Sequence, residues 1–313
     1  MTNLARIKFN GKLGDISKRI CKDYSIGEFI SNKVIPMGYE DFNVVLKTSK
    51  GKYFVKVFAS FRKMDEVNRY VEIIDAAIKN KVSTPKIIGE LFTPIINKKR
   101  LRLIVMDYID GKSLYETNYK VTDKDIRVIA REVVKINLIK RKVAHVYDSW
   151  AIINFMKEFS KTKKYLEKKD LDLILPLVSE FNALNVETLP HCLAHGDIIN
   201  TNIMRDKTGK LFVIDFGCTT YYPRIQGLAV LACNVLFAKT KKESERKFAV
   251  ALKEYQKQIK LTKRELNALP TYIRFAHAMH VIGSTYEKAK NGIDNKENRY
   301  WLAQGRAGLK QTL

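Results

Sequence analysis

The apolar residues of this chain change their spacing about a third of the way along, and that change limits the folds open to it. Up to about residue 114 they come in short runs. Tyr53, Val55 and Val57 alternate with Phe54, Lys56 and Phe58, the two-residue period of a strand. This is the clearest of three strands within 28–59, and Thr48-Ser49-Lys50-Gly51-Lys52 before it has hairpin chemistry. From Glu66 to Lys81 the period becomes helical, with Val67, Val71, Ile74 and Ile78 on one stripe and Pro85 as its stop. Two more strands, Lys86–Phe92 and Leu101–Met106, precede a polar turn at Asp107–Ser113. Beyond it helical patterns dominate: Thr122–Leu138, Asp148–Leu166, Leu171–Leu184, Arg224–Ala238, Glu243–Ile259 and Lys263–Lys290. They are interrupted by His195–Asp206 and Lys210–Asp215, read as a loop and two short strands. The expectation is an α+β chain: a β-rich lobe with one helix over 1–106, a hinge over 107–113, and a mostly helical lobe over 114–313. Two lobes suit 313 residues, since one hydrophobic core rarely grows past about 250–300.

Composition removes several classes. With 46% hydrophobic and 29% charged residues the chain is too apolar to stay disordered. Its longest apolar run, Leu228 to Ala238, is broken by Asn234 and falls well short of the roughly 20 residues of a membrane span. Met1 to Lys8 has no apolar core or cleavage-like small residues, so no signal peptide is read. Cys21, Cys192, Cys218 and Cys233 are scattered, which fits reduced thiols in a cytoplasmic protein rather than a disulfide scaffold or zinc site. Lys and Arg number 57 against 33 acids, a net charge of +24 that raises nucleic acid as a partner. The basic residues are spread from Lys8 to Lys310 without an RNA-binding signature, so no nucleic-acid or membrane partner is expected.

The stretch that carries chemistry is His195-Gly196-Asp197-Ile198-Ile199-Asn200-Thr201-Asn202, followed by Phe212-Val213-Ile214-Asp215-Phe216-Gly217. Phosphoryl transfer from a nucleotide asks little of a protein, because its transition state is loose and catalysis is mainly positioning and charge neutralisation. It needs a carboxylate near the acceptor hydroxyl and hard oxygen ligands to hold Mg²⁺ on the phosphates. Asp197 supplies the first. Asn202, five residues on in the same loop, and Asp215, at the end of an apolar strand, supply the second. The 18 residues from Asp197 to Asp215 suit a loop and hairpin that return to one site. As catalytic residue Asp197 takes its proton late, so no raised pKa is expected of it.

This pattern resembles the kinase superfamily, and within it the aminoglycoside phosphotransferase and choline kinase-like branch, which writes its loop His-Gly-Asp where protein kinases favour His-Arg-Asp. The long helical stretch between Gly111 and His195 is similar to that branch. No Ala-Pro-Glu follows Gly217, and Ile199 stands where Ser/Thr protein kinases usually carry a lysine. The resemblance covers roughly 24–313 and implies a two-lobed protein kinase-like fold. It implies transfer of the γ-phosphoryl group of ATP (or GTP), with Mg²⁺, to a hydroxyl of a small metabolite or antibiotic. It further implies that Lys56 reaches the α/β-phosphates and pairs with a helix glutamate. Glu72, thirteen residues before Pro85, is preferred to Glu66, which is read as a first-turn residue complementing the helix dipole. Met37-Gly38-Tyr39-Glu40-Asp41-Phe42-Asn43 is similar to the nucleotide-covering turn of type II homoserine kinases, with Gly38 and Asn43 in it. By position, the adenine meets backbone groups at Asp107, Tyr108 and Ile109 after Met106. His195 looks structural, holding the loop backbone.

Two features loosen the substrate assignment. Tyr222 and Gly227 stand where many members of the branch carry aspartates, and homoserine is not carried over. The helical lobe is poor in acid clusters, Glu243 and Glu245 being flanked by Lys241, Lys242 and Arg246, so a neutral or anionic acceptor is expected over a polycation. The rival readings are a protein kinase and a non-catalytic nucleotide- or nucleic acid-binding protein. Neither acceptor identity nor oligomeric state is encoded in a short motif.

Overall fold

The computed structural model describes residues 3–35 and 41–312. It divides into two compact units, residues 1–111 and 112–313. In the first, α1 (Leu13–Asp23) precedes β1 (Phe29–Ile35), β2 (Phe42–Thr48) and β3 (Gly51–Val57), then α2 (Met64–Lys79) and β4 (Ile87–Phe92). A two-residue hairpin, β5 (Ile95–Ile96) and β6 (Lys99–Arg100), leads into β7 (Leu103–Asp107). The main sheet has the order β1-β2-β3-β7-β4, so β3 is its central strand, and the β1–β2, β2–β3, β3–β7 and β4–β7 pairings are all antiparallel.

Strand alternation sorts side chains onto two faces. Phe42, Val44 and Leu46 of β2, Val55 and Val57 of β3, and Leu103 and Val105 of β7 form one buried cluster with Ile16, Ile20 and Cys21 of α1. Register places Asn43 opposite Lys56, and Lys56 opposite Ile104, in one row of the other face. A lysine on a central strand has no edge from which to reach water, and Lys56 is only 4% exposed.

β8 (Gly111–Ser113) straddles the division. The second unit holds α3 (Leu114–Thr117), α4 (Asp123–Asn137), α5 (Phe155–Thr162), α6 (Lys168–Leu184), α7 (Gln226–Cys233), α8 (Lys241–Tyr255), α9 (Lys263–Asn291) and α10 (Lys296–Thr312). Four short strands serve the site: β9 (His191–Ala194) pairs with β12 (Thr220–Pro223), and β10 (Ile203–Asp206) with β11 (Leu211–Val213). Two expectations change. Residues 148–154, expected to be helical, form a turn and a short 3₁₀ segment, because Asp148 Oδ1 accepts from Trp150 N at 2.8 Å and Asn154 Nδ2 donates to Asp148 O at 2.7 Å. The C-terminal helix α10, which the hydrophobic spacing did not single out, is fully formed.

The long helix α9 is the hub of this unit, touched by α5, α6, α7 and α10. It begins with a capping box: Glu265 N donates to Thr262 Oγ1 at 3.2 Å and Thr262 N to Glu265 Oε2 at 2.8 Å. It ends at Gly292, whose φ of +65° is the left-handed C-cap that glycine supplies readily. Phe275 of α9 packs on Phe155 and Phe181, each at 5.1 Å between ring centroids. On another side α10 lies on α9 through Gly305 and Gly308: a Cβ at Gly305 would stand 2.7 Å from His277 O, and one at Gly308 would meet the His277 ring. Among the described residues no helix is long and apolar enough to cross a membrane, and Cys21, Cys192, Cys218 and Cys233 are all free.

His277 and His280, both inside α9, are buried among aromatic rings: Phe237 at 5.2 Å from His277, and Trp301 at 5.4 Å from His280. Burial pushes both bases down, His277 to about 3 with help from His280, and His280 to about 4. The unfolded chain takes these protons near the ordinary value of about 6.5, so the unfolded state binds more protons between pH 6.5 and 4. Stability is therefore whole above about pH 6.5 and declines as the pH falls, by on the order of 1 kcal/mol per pH unit for each histidine. The urea midpoint is expected to drop between pH 7 and pH 5, with less of a drop in His280→Gln. A flat midpoint would mean that the fold protonates them.

Candidate active site

In the first unit the chemistry gathers behind β3. The Lys56 ammonium lies 3.2 Å from Asp41 Oδ2 and 5.1 Å from the centroid of Tyr70 on α2. Nothing in the sequence singles out Asp41 for this contact. Its other oxygen, Oδ1, accepts from Ala59 N at 2.9 Å and from Arg62 Nε at 2.8 Å. Glu72, expected as the lysine's partner, stands on α2 at an exposed position, while Glu66 takes the first-turn role foreseen for it, accepting from Lys63 N at 2.8 Å. Asn43 sits directly across from Lys56 with its Oδ1 buried and unpartnered. Gly38 lies outside the described residues. At the proposed hinge, Asp107 is clamped to Lys86 by two hydrogen bonds, its N–H to Lys86 O at 3.0 Å and its Oδ2 from Lys86 N at 3.2 Å. Tyr108 carries the Lys52 ammonium at 5.3 Å from its ring, and buried Ile109 accepts from Gly111 N at 2.9 Å.

In the second unit the loop between β9 and β10 is built around His195. Its ring is 2% exposed, with Phe216 at 4.7 Å. Nε2 donates to Ile214 O at 3.1 Å and Nδ1 accepts from Asp197 N at 3.2 Å, which fixes the neutral tautomer. Desolvation drives its pKa down to about 4, against the opposing pull of Asp215. A ring bonded on both sides orients the loop and has no nitrogen left for proton transfer. The far end of the loop is held by Asn202 N to Ile199 O at 2.9 Å and Ile214 N to Asn202 O at 3.0 Å. Its middle is held by Asn200 N, which donates 2.9 Å to Asn234 Oδ1 just beyond α7.

Within this frame Asn202 Nδ2 donates to Asp197 Oδ2 at 2.7 Å and to Asp197 O at 3.0 Å. With its amide nitrogen so engaged, Asn202 has its carbonyl oxygen as the atom for a cation. Asp215 follows β11 with φ +62°, a left-handed conformation that aspartate tolerates better than most residues, and Gly217 N donates to its Oδ1 at 3.4 Å. Among the described residues no three His, Cys, Asp or Glu side chains form a metal cage. One carboxylate and one amide oxygen nevertheless suit Mg²⁺, which keeps several waters and takes its remaining ligands from phosphate.

Asp197 departs from expectation. Burial, then Asp148, then Asp215 push its carboxyl up to about 7, only partly offset by Asn202, and Glu297 adds to the rise. Asp148, Asp215 and Glu297 thus act on one carboxyl from well-separated places in the sequence. Beside them α10 contributes aromatic surface. Tyr115 lies 5.2 Å from Tyr300 and 6.0 Å from Trp301, while Tyr300 bonds Asn200 and Trp301 bonds Glu297.

Gly196 explains the His-Gly-Asp triplet. Its φ is +83°, and a Cβ there would stand 2.9 Å from Cys218 O and 3.2 Å from the Tyr222 ring. Tyr222 is fully buried on β12, and Gly227 lets α7 approach α4, where a Cβ would lie 3.1 Å from Val133. The two positions expected to hold aspartates thus do packing work here.

A buried histidine thus ties the His-Gly-Asp loop to the Asp-Phe-Gly segment. The chain belongs to the phosphotransferase enzyme family, whose model matches residues 31–266. No curated protein matches it in sequence. Among solved structures it is similar to an amicoumacin kinase in complex with AMP-PNP, Ca²⁺ and Ami, with 13% identity, TM-score 0.68, and 99% of this chain and 96% of that one covered. It is also similar to a spectinomycin phosphotransferase in complex with ADP and spectinomycin, with 12% identity, TM-score 0.69, and coverage of 97% and 99%. A choline kinase from Streptococcus pneumoniae matches at 15% identity, TM-score 0.63, and coverage of 94% and 97%. At these identities the likeness is one of fold: α+β, two-lobed and protein kinase-like. As a member of the family the chain is a phosphotransferase that acts as a small-molecule kinase.

Replacing Gly196 by Ala forces a side chain into left-handed backbone, which costs about 1–2 kcal/mol before the clash with Cys218 is counted. Gly196→Ala is expected to lower the urea midpoint and to slow transfer more than it weakens nucleotide binding. Unchanged turnover would show that the loop does not need this close approach.

Proposed function

We propose that Asp197 is the catalytic residue, orienting the acceptor hydroxyl and taking its proton, and that Asn202 and Asp215 hold Mg²⁺. The observation that carries this reading is the Asn202–Asp197 hydrogen bond of 2.7 Å, within a loop clamped to the strand end that bears Asp215. A divalent cation held by Asn202 and Asp215 would neutralise charge on the phosphates of the nucleotide. Lys56 donates to the α/β-phosphates, and the nucleotide is covered by the segment around Gly38 and Asn43. The base is read by backbone groups of Asp107, Tyr108 and Ile109. Residues 1–106 serve as the nucleotide-binding lobe, 107–113 as the hinge and 114–313 as the catalytic and acceptor-binding lobe.

Asp197 buried among like charges holds its proton more tightly than an exposed aspartate, which strengthens it as a base. The acceptor, on this reading, is an alcohol that also carries an amine. Asp148 and Glu297, with the exposed ring of Tyr300, offer a cation both ion pairing and π-contact. Choline, the alcohol named with one structural neighbour, likewise carries a cationic nitrogen, there a quaternary ammonium. The four free cysteines fit a reducing, cytoplasmic setting.

Nucleoside diphosphate release with Mg²⁺-ATP, measured across choline, ethanolamine, aminoglycosides, homoserine, hexosamines, methylthioribose and ketosamines, tests the assignment. Asp197→Ala is expected to lower transfer by about 10²–10⁴-fold while leaving nucleotide binding largely intact. Asp215→Ala is expected to weaken Mg²⁺-ATP binding as well. Full activity in Asp197→Ala would sink the assignment.

For the acceptor, Asp148→Asn is expected to raise KM for an amine-bearing alcohol on the order of tenfold, as for loss of one charge pair, with KM for ATP unmoved. A preference for neutral or anionic alcohols that survives this change would defeat the cationic reading.

A further inference from the structure

Asp41 is the feature of this molecule that the family pattern did not lead to. It precedes β2, and because Phe42 is paired with Val57 and Asn43 with Lys56, strand alternation puts residue 41 on the same face as Asn43 and diagonal to Lys56. Its carboxylate is only 5% exposed, so it has no route to water as an alternative partner. Oδ1 is occupied by Ala59 N at 2.9 Å and Arg62 Nε at 2.8 Å, and Oδ2 meets Lys56 Nζ at 3.2 Å. The main-chain oxygen of Asp41 accepts from Arg6 at 3.3 Å. The carboxylate is therefore oriented by a backbone amide and a guanidinium before the lysine is considered, and the lysine's position follows from theirs.

We propose that Asp41 is the positioning residue for Lys56: its carboxylate fixes the ammonium on the face of the sheet where the lysine grips the nucleotide phosphates. This rests on the reading of Lys56 as a phosphate-binding residue. An ammonium has three N–H donors, so a bond to Asp41 is compatible with donation to phosphate oxygens. Lys56 and Arg62, with the Ala59 amide, outweigh burial and hold the Asp41 carboxyl below its ordinary range, so the pair is ionic at neutral pH.

The test is a thermodynamic cycle read by titration with ATP and, separately, with adenosine, on the full chain. Wild type is compared with Asp41→Asn, Lys56→Met and the double variant, with Glu72→Gln run alongside. Asp41→Asn and Lys56→Met are each expected to weaken ATP binding on the order of tenfold, to leave adenosine binding unchanged, and to be no worse together than Lys56→Met alone. Asp41→Glu is expected to recover part of the loss. ATP binding in Asp41→Asn equal to wild type, with Lys56→Met impaired, overturns the role of Asp41 and leaves that of Lys56 standing. Fully multiplicative losses in the double variant overturn it too, because Asp41 would then act independently of the lysine. Wild-type ATP binding in Lys56→Met overturns the reading of the lysine itself. A loss in Glu72→Gln as large as in Asp41→Asn, with only the former non-additive with Lys56→Met, gives the positioning role to Glu72 instead. If Asp41→Asn alone does not fold, as judged by circular dichroism, Asp41→Asn combined with Arg62→Gln removes one cation with the carboxylate and takes its place in the same cycle, against Arg62→Gln as reference.

Discussion

The two hydrogen bonds of the His195 ring hold together what the chemistry needs close. One nitrogen takes the N–H of Asp197, and the other reaches the carbonyl of Ile214, the neighbour of Asp215. Each bond contributes only about 0.5–1.5 kcal/mol. Their value is geometric: two segments 18 residues apart in sequence are referenced to one rigid ring. Burial keeps that ring neutral, and only the neutral ring can donate on one side while accepting on the other. The apolar packing around Phe216 is thus a condition for the polar geometry, since a wetter ring would take a second proton and lose its acceptor.

How far the sequence reaches depends on the range of the interaction that places each residue. The strands, α2, and the helices of the second unit follow from local spacing, and their approximate limits are visible without coordinates. That Asp197, Asn202 and Asp215 come together is equally visible, because a short loop and a hairpin confine them. Asp41, Asp148 and Glu297 are not. Asp41 reaches Lys56 only through sheet register, and Glu297 comes from a helix whose polar, Gly-containing sequence gives a weak apolar stripe. The expectation that residues 148–154 continue a helix failed because Asp148 turns its side chain back onto Trp150 N, a local bond that competes with helix.

Charge shows the same limit in reverse. A net charge of +24 describes the surface as a whole, yet burial, together with Asp148, Asp215 and Glu297, raises the Asp197 carboxyl to about 7. Composition averages over positions, whereas a site is a selection of a few of them. The first unit pairs one buried carboxylate, Asp41, with a buried lysine and a partly buried arginine.

The glycine seam between α9 and α10 bears on how such an enzyme can change over time. Glu297, Tyr300 and Trp301 ride on a helix whose seat at Gly305 and Gly308 is set by backbone against backbone and ring, about one to three helical turns away. The lengths of the side chains at 297 and 300 have little say in where the helix lies. Residues 297 and 300 can therefore change one at a time while the seat of the helix stays where the two glycines put it.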